Sequence, residues 1–384
     1  MSLAILGFGT ANPTNTMSLQ EATELAIEVS CETERQKKLL KILYRKSGVK
    51  NRHTVIPHRD ALRWASEGWA SEGGNGDSIT ATAVRTSLGP TTQERMIMYE
   101  DFAPQLAAEA VAMSFKETGI DPQSITHLVT VSCTGFYAPG VDVDLIRSFE
   151  LPPTTQRVHV GFMGCHGAIN GLRVAQSVVE ANPHARVLLC AVECCSLHFQ
   201  YQWAPERFVG NSLFADGAAA LVCASENGSS TSHSGNDSNN KPRSPLCVKG
   251  TGSCLIPDST DAMGWRIGDH GFEMYLSAQV PDLIEKHLRP WLTQWLREQG
   301  TSLADIGSWA IHPGGPRILD AVESALDLTP DDTVVSRDVL ANFGNMSSPT
   351  VLFILKKLRE RQAPLPCVAL GFGPGLIAEA ALIV

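Results

Sequence analysis

The chain has 384 residues, of which 43% are hydrophobic and 18% are charged. This composition is typical of a soluble globular protein with a large buried core, and it excludes a disordered chain or a small disulfide scaffold. The net charge of −9 argues against a nucleic-acid or anionic-membrane partner. No apolar run reaches the roughly 18 residues that a membrane span needs. Residues 1–10 are apolar but lack the basic flank of a secretory signal, so we expect a strand there and a cytoplasmic protein.

Basic residues are concentrated in one segment near the N-terminus. Eight of the 31 lysines and arginines fall between Arg35 and Arg52. Such a run most often forms the solvated face of a helix, but on an acidic protein it also suits the phosphates of an anionic ligand.

The predicted elements alternate between helices and strands. In chain order they are a helix over 104–119, a strand over 128–131, a long loop, a helix after Cys165, strands over 187–192 and 218–223, a helix over 281–300, a strand over 309–311, a helix after Asn345, and strands over 367–370 and 376–384. Two polar stretches, residues 65–77 and 225–244, are predicted loops.

The second polar stretch divides the chain into similar halves. Residues 225–244 are almost all small or polar, so we expect a disordered insert between a first half, residues 1–224, and a second half, residues 245–384. The order of elements repeats in both halves, which predicts a duplicated α/β fold in five αβαβα layers with a largely parallel sheet. A pseudo-two-fold axis would relate the halves. Cys165 and Asn345 occupy equivalent glycine-flanked turns, predicted as strand-to-helix junctions near that axis.

Cys165 is the candidate nucleophile among ten cysteines. The ten show no paired metal-ligand spacing, so we expect no zinc site. Cys190 and Cys223 lie in apolar runs and are read as core residues. The helix after Cys165 has one apolar stripe, which puts the thiol at a helix N-terminus, where the helix dipole lowers a cysteine pKa. The alternative is a buried cysteine in a tight turn.

A nucleophilic thiol usually works with an imidazole partner, and a candidate histidine and a candidate asparagine are expected near the same axis as Cys165. His312 ends an apolar strand and opens a turn rich in proline and glycine, whereas a histidine that merely caps the strand is the alternative. His166 is a poor base for Cys165, because neighbouring residues at a helix start point about 100° apart. Asn345 would supply an amide donor, or simply an N-cap. Residues 371–375, Gly-Phe-Gly-Pro-Gly, form a turn that suggests close backbone approach to a ligand.

These residues resemble a known family, the type III polyketide synthases of the chalcone and stilbene synthase group, which have the thiolase fold. The motifs that carry the resemblance are Gly9-Thr10-Ala11-Asn12-Pro13, Glu94-Arg95-Met96, Gly164-Cys165, Leu213-Phe214-Ala215-Asp216-Gly217, His312-Pro313-Gly314-Gly315-Pro316, Gly344-Asn345-Met346-Ser347-Ser348 and Gly371-Phe372-Gly373-Pro374-Gly375. Met263-Gly264-Trp265 is more similar to bacterial members than to plant ones.

The resemblance implies a Cys165, His312 and Asn345 triad with Phe214 as a gatekeeper. An acyl group from a coenzyme A thioester would load onto Cys165, which His312 keeps ionised. Malonyl-CoA would lose CO2 while His312 and Asn345 hydrogen-bond its thioester oxygen. The chain would then be extended and cyclised, with no metal or redox cofactor, in a homodimer.

The resemblance also implies which residues line the cavity. Met274 stands where plant members have a second gatekeeper Phe, and Ala138 where they have a Met that crosses the dimer interface. We expect these two to open room for long fatty acyl starters, giving alkylpyrones or alkylresorcinols. The other implied cavity residues are Cys133, Thr134, Cys195, Trp265, Ser347, Gly373 and Pro374.

For coenzyme A, only Lys46 matches the family's basic residues. The other basic positions fall on Leu39 and Ile42, so Lys38 or Lys41 would substitute.

Two other functions remain open at this point. A ketoacyl-carrier-protein synthase that primes fatty acid synthesis shares the fold and triad, but it has a His-Gln-Ala-Asn turn where this chain has His-Pro-Gly-Gly-Pro. A catalytically silent binding protein on the same fold is the second. The starter, the number of extensions and the mode of ring closure are not determined by the sequence.

Overall fold

The structure is a computed structural model that describes residues 2–67, 88–204, 208–226 and 245–384. Most of both predicted loops lies outside these residues. The described part of the first, residues 65–67, ends a helix instead of starting a loop. The insert begins later than predicted, because Ser225 is the last residue of a strand.

The helices and strands occupy the following residues. The helices are α1 (Leu19–Ser30), α2 (Glu34–Lys46), α3 (His58–Glu67), α4 (Thr92–Thr118), α5 (Val141–Ser148), α6 (Gly167–Ala181), α7 (Phe208–Leu213), α8 (Val280–Glu298), α9 (Pro316–Leu326), α10 (Val334–Phe343) and α11 (Pro349–Glu360). The strands are β1 (Leu3–Ala11), β2 (Thr16–Ser18), β3 (Asn51–His53), β4 (His127–Ser132), β5 (Gln156–Gly161), β6 (Arg186–Cys194), β7 (Asp216–Ser225), β8 (Leu246–Leu255), β9 (Met263–Gly268), β10 (Gly271–Leu276), β11 (Ser308–Ile311), β12 (Cys367–Gly373) and β13 (Ile377–Ile383).

Nine of the described strands form one sheet made of two half-sheets. The order is β11-β12-β13-β8-β1-β7-β6-β4-β5, and the halves join where three residues of β1, from Leu3 to Ile5, pair with β8. The expected largely parallel sheet is wrong. Only β4–β5, β4–β6 and β11–β12 are parallel pairs, and the other five are antiparallel. One reason is the length of the connections. Only residues 374–376 join β12 to β13, and so short a connection joins only antiparallel strands.

Side-chain alternation along the strands creates the layers. Successive strand residues point to opposite faces, so Val129 packs against α6 and α11 whereas Leu128 packs on the other side, against α4. Helices α6 and α11 therefore lie between the half-sheets. Helix α4 covers the outside of the first half-sheet, and α8 and α9 cover the second. The predicted five-layer thiolase-like fold class is confirmed.

Helix α6 confirms the predicted stripe, because Ala168, Leu172, Ala175 and Val179 are all buried. Helix α4 is longer than predicted. The sequence suggested a start at Pro104, yet the helix begins twelve residues earlier, at Thr92, where Thr91 and Glu94 form a capping box that satisfies the first N–H groups. No helix in the described ranges has both the length and the hydropathy of a membrane span.

Candidate active site

Cys165 lies in the turn between β5 and α6. His166 is the N-cap of α6, so the cysteine precedes the helix by two residues. Gly164 has φ +79°, and a Cβ there would lie 2.4 Å from Cδ of Pro374. Only glycine fits this position, because the conformation is left-handed and the turn from the second half of the chain packs directly against it. The structure thus places Pro374 behind the nucleophile.

Asn345 reaches the site by a different route from the one predicted. It follows helix α10, not a strand, because residues 334–343 bury Val335, Val339 and Leu340 at helical spacing. Asn345 instead forms an isolated parallel bridge beside Phe214. Its N–H donates to the Leu213 carbonyl at 2.9 Å, and its carbonyl accepts from Ala215 N–H at 2.9 Å.

The Asn345 side chain faces the catalytic cysteine instead of capping a helix. The N-cap of α11 is Ser348, so Asn345 does not serve as that cap. Its Oδ1 accepts a hydrogen bond from the Ser347 backbone N–H at 2.8 Å. The amide therefore presents its Nδ2 donor elsewhere, and Asn345 hydrogen-bonds the Cys165 sulfur.

One cavity brings the three predicted catalytic residues together. It is lined mainly by apolar side chains. Cys165, His312 and Asn345 share it with the predicted gatekeeper positions Phe214 and Met274. The remaining lining residues are Val209, Gly210, Leu213, Met263, Leu276, Gly314, Ile318 and Phe372.

His312 is held by its backbone and leaves its ring unpaired. The residue follows β11, and its N–H donates to the Leu370 carbonyl of β12 at 2.8 Å. The side chain is buried, and neither ring nitrogen has a hydrogen-bond partner among the described residues. A buried polar group without a partner is costly. Both nitrogens are therefore available to a substrate.

Burial disfavours a charge on either Cys165 or His312 alone. It raises the pKa of the Cys165 thiol to about 11, against hydrogen bonds from Ser347 and Asn345 that lower it. It also lowers the pKa of His312 to about 3, and the neighbouring His166 adds to this. The lowered thiol pKa expected from the helix N-terminus is not found, since the loss of water outweighs the dipole. A buried thiolate would need a counter-charge such as the imidazolium of His312, so we expect the two groups to ionise as a pair.

A buried carboxylate organises the wall beside Cys165. Glu193, in β6, accepts hydrogen bonds from Cys133 N–H at 3.0 Å, from Thr134 Oγ1 at 2.7 Å and from Ser348 Oγ at 2.7 Å. Burial raises the pKa of this carboxyl, and the hydrogen bonds oppose that rise. Cys133 Sγ also lies 3.3 Å from Ser347 Oγ. The predicted cavity residues Cys133, Thr134 and Ser347 are thus grouped around a glutamate that the sequence analysis missed.

Aromatic rings close another side of the site. His198 stacks on Phe272 with ring centroids 4.1 Å apart, and Trp265 meets both rings edge-on. Phe272 N–H donates to His198 Nδ1 at 2.9 Å, so His198 Nε2 carries the proton and donates to the Thr134 carbonyl at 2.7 Å. Burial lowers the pKa of His198 to about 3. His198 is therefore a neutral ring with a fixed orientation that forms part of the wall of the site. It was not predicted from the sequence.

A second cavity adjoins the first at Phe214. It contains the predicted residue Cys195. Most of its lining is apolar or aromatic, and it consists of Met17, Ala22, Leu25, Tyr44, Arg52, Thr54, Ile56, Ala61, Cys195, Ser196, His198, Phe199, Tyr201, Asn211 and Phe214. Phe214 lines both cavities, so the two adjoin at this residue.

The remaining predicted cavity residues are placed as follows. Trp265 Nε1 donates to the Cys133 carbonyl at 2.8 Å. Gly373 lies against the His166 ring, where a Cβ would be 2.5 Å from Nε2. Ala138 lines neither cavity of this chain: it is exposed, beside a separate surface cavity. The expected place of Ala138 at a dimer interface stays a prediction.

His166 turns away from Cys165. Its ring is buried, with Nδ1 2.7 Å from Asn170 Oδ1, and Asn170 Nδ2 donates to Glu379 at 3.1 Å. Glu379 also pairs with Arg173. These contacts agree with the interpretation that His166 is a poor base for the cysteine.

The predicted coenzyme A residues Lys38, Lys41 and Lys46 are exposed on α2. None of the three forms an ion pair with any residue that the structure describes.

Comparisons with known proteins agree with this geometry. Residues 78–227 and 248–384 match the family models for the N-terminal and C-terminal domains of chalcone and stilbene synthases. The chain is 32% identical to type III polyketide synthase C of Arabidopsis thaliana, covering 99% of this chain and 94% of that protein. It is also 32% identical to 1,3,6,8-tetrahydroxynaphthalene synthase of Streptomyces peucetius subsp. caesius, covering 97% and 91%. The crystal structure of PKS-I from the brown alga Ectocarpus siliculosus superposes with a TM-score of 0.85 at 28% identity, covering 100% and 98%.

The fold and its neighbours define a condensing enzyme of the thiolase-like class. The chain belongs to the chalcone and stilbene synthase family, the type III polyketide synthases. The predicted family and the predicted acyltransferase activity are confirmed. Neither the priming ketoacyl-carrier-protein synthase nor the silent binding protein is favoured.

The joint ionisation of Cys165 and His312 gives a pH prediction. In His312→Gln, a thiolate would be a buried charge without a partner, so the thiol pKa rises. We expect the pH profile of Cys165 alkylation by iodoacetamide to move upward, so that the rate at each pH below the midpoint falls at least about tenfold, within the range known for buried groups. The rate is measured by mass spectrometry of the Cys165 peptide between pH 5 and 11.

The Cys31 peptide is the internal control, because Cys31 lies at the end of α1 and its profile should not change. Asn345→Ala removes a hydrogen bond but no charge, so its midpoint should move less than that of His312→Gln. Identical midpoints in wild type and His312→Gln would show that the imidazole does not stabilise the thiolate.

Proposed function

We propose that the enzyme loads an acyl group from a coenzyme A thioester onto Cys165 and extends it with malonyl-CoA. The observation that carries the proposal is that Cys165, His312 and Asn345 meet in one buried, largely apolar cavity. In loading, the thiol proton moves to His312 as sulfur attacks the thioester carbonyl. The carbon–sulfur bond to coenzyme A then breaks, and the departing thiolate takes the proton back.

The second step uses the same residues as hydrogen-bond donors. The thioester oxygen of malonyl-CoA would accept from His312 N–H and Asn345 Nδ2. Loss of CO2 leaves an enolate on that oxygen, and its carbon attacks the acyl group on Cys165 and releases the thiolate. The lowered pKa of His312 suits this step, because a neutral imidazole stabilises the enolate without protonating it. Neither step calls for a metal or redox cofactor, and we propose none.

We also propose which residues bind coenzyme A and in which compartment the enzyme works. Lys46, Lys41 and Lys38, exposed on α2, would hold the phosphates of coenzyme A. All ten cysteines are free thiols, which suits a reducing compartment, and we propose the cytoplasm.

Incubation with labelled malonyl-CoA and a panel of acyl-CoA starters, read by mass spectrometry, tests this function. Cys165→Ala should abolish condensation, because no neighbouring group can hold the acyl chain. Decarboxylation of malonyl-CoA should continue, since His312 and Asn345 remain. An unchanged thermal unfolding midpoint controls for folding. Condensation products from the variant above a few per cent of the wild-type amount would contradict the assignment of Cys165.

We further propose that the starter is a fatty acyl group, which would give an alkylpyrone or alkylresorcinol. The second cavity supports this, because it is a largely apolar chamber that adjoins the catalytic cavity at Phe214. Met274, beside Phe214 in the first cavity, is flexible where a phenylalanine would be rigid. The rings of His198, Trp265 and Phe272 close another side of the site, so a long chain is best accommodated past Phe214.

The starter proposal predicts a chain-length series. Each buried CH2 contributes about 0.8 kcal/mol, so kcat/KM should rise from hexanoyl-CoA to dodecanoyl-CoA until the chamber is full, and should exceed that for coumaroyl-CoA. Ala22→Phe fills the chamber and should shift the optimum to shorter chains. Hexanoyl-CoA is the control substrate, because it is too short to need the chamber. A flat or falling series in wild type would exclude the chamber as the acyl site.

We also propose a homodimer built on β5. This strand is at the edge of the sheet, and its six residues are all exposed or half-exposed. Natural proteins rarely leave such an edge uncovered. Val158 on β5 is 45% exposed, and the adjacent loop presents Phe136 and Ala138.

Val158→Lys should weaken or abolish the dimer, since it places a charge in the middle of the edge strand. Sedimentation velocity at several concentrations measures the change. Val334→Lys, at a 46% exposed position on α10, is the matched control and should leave the dimer intact. A wild-type chain that sediments as a monomer at all concentrations would refute the proposal.

A further inference from the structure

The outward face of α2 combines exposed apolar side chains with unpaired basic ones. Leu39 is 50% exposed and Ile42 is 43% exposed, and they lie next to each other three residues apart on the helix. Arg35 and Lys46 continue the same stripe at helical spacing. Lys38, Lys41 and Arg45 flank it, and all five basic side chains are exposed.

The charge of this face is not neutralised within the described part of the chain. The only ion pair on α2 there joins Lys37 to Glu34, on another side of the helix. The whole protein has a net charge of −9, so a basic face is an exception on an acidic surface. A negatively charged partner would be attracted here and repelled elsewhere, which selects this face by charge.

Helix α2 stands next to the walls of the catalytic cavity. Its inner face buries Leu40 and Tyr44, and Tyr44 lines the second cavity. Just after the helix, Val49 packs with Leu213, a residue that lines the cavity of Cys165. A partner bound to the outward face of α2 would therefore sit close to the site where the acyl group is loaded.

From this face we infer a macromolecular donor for the proposed loading step: an acidic acyl carrier protein docks on α2 and delivers the starter on its phosphopantetheine arm. The inference rests on the proposed function, with malonyl-CoA still the extender. Leu39 and Ile42 offer nothing to nucleotide phosphates, whereas an acidic amphipathic helix would cover them and pair with the surrounding lysines and arginines. Sulfur of Cys165 attacks the carrier's thioester carbonyl, the bond to the arm sulfur breaks, and that thiolate takes the proton held by His312.

Two measurements test the inference. The probe is a small acidic acyl carrier protein of bacterial fatty acid synthesis, bearing the phosphopantetheine arm without an acyl group for binding, or with a decanoyl group for turnover. Binding is followed by fluorescence anisotropy, and kcat/KM is compared between decanoyl carrier protein and decanoyl-CoA. Wild-type binding should weaken at least tenfold between 50 and 300 mM NaCl, because screening shortens the range of charge attraction.

The double variant Leu39→Ser with Ile42→Ser should lose at least tenfold in carrier binding and in kcat/KM with decanoyl carrier protein, because the apolar contact is removed. Its kcat/KM with decanoyl-CoA should change less than twofold, because neither substitution adds a charge beside Lys38, Lys41 or Lys46. Met113→Ser, at a 48% exposed position on α4, is the matched control and should affect neither donor.

Equal losses with both donors, an unchanged kcat/KM with decanoyl carrier protein, or no carrier binding by wild type would each overturn the inference. Turnover of decanoyl-CoA by wild type separates these results from failure of the proposed function. Without that turnover, the proposed loading of Cys165 from coenzyme A is what has failed.

Discussion

The buried carboxylate of Glu193 is the constraint on which the geometry of the site depends. A buried carboxylate is tolerated only when its oxygens are hydrogen-bonded, because burial without partners costs several kcal/mol. Its partners come from the end of β4 and from the start of α11, which belong to different halves of the chain. Ser348 is three residues from Asn345, and Thr134 is bonded to His198. Satisfying one carboxylate therefore fixes the turn that carries Asn345 and the aromatic wall opposite it.

The two halves of the chain meet at this point. The duplication seen in the sequence explains why Cys165 and Asn345 approach each other, since α6 and α11 are the equivalent central helices of the five layers. The halves are not identical, because β5 precedes Cys165 whereas α10 precedes Asn345. The second half-sheet accordingly has four of the nine strands and the first has five.

Patterns local in sequence were predictable, and contacts between distant residues were not. The apolar stripe of α6 follows from helical periodicity, and the central strands follow from short continuous apolar runs, so the layers and the position of Cys165 could be deduced. Strand direction could not, because it depends on the connections between strands. The roles of Glu193 and His198 depend on partners about 60 to 155 residues away. Their only local signal is a polar residue at or just beyond the end of a buried strand. The prediction of a lowered pKa for the Cys165 thiol was wrong for the same reason. The start of a helix is visible in the local sequence, whereas the burial that raises the pKa depends on tertiary contacts.

Phe214 shows how the enzyme can change its product without losing its chemistry. The backbone on both sides of this residue is hydrogen-bonded to Asn345, through Leu213 and Ala215, while the residue itself lines both cavities. The main chain at the gate is thus tied to a catalytic residue, and the side chain alone is left to rotate or to be replaced. Mutation there can resize the space for the acyl chain while the amide of Asn345 keeps its position. Selection for new substrates can therefore act on a single side chain whose attachment point is already rigid.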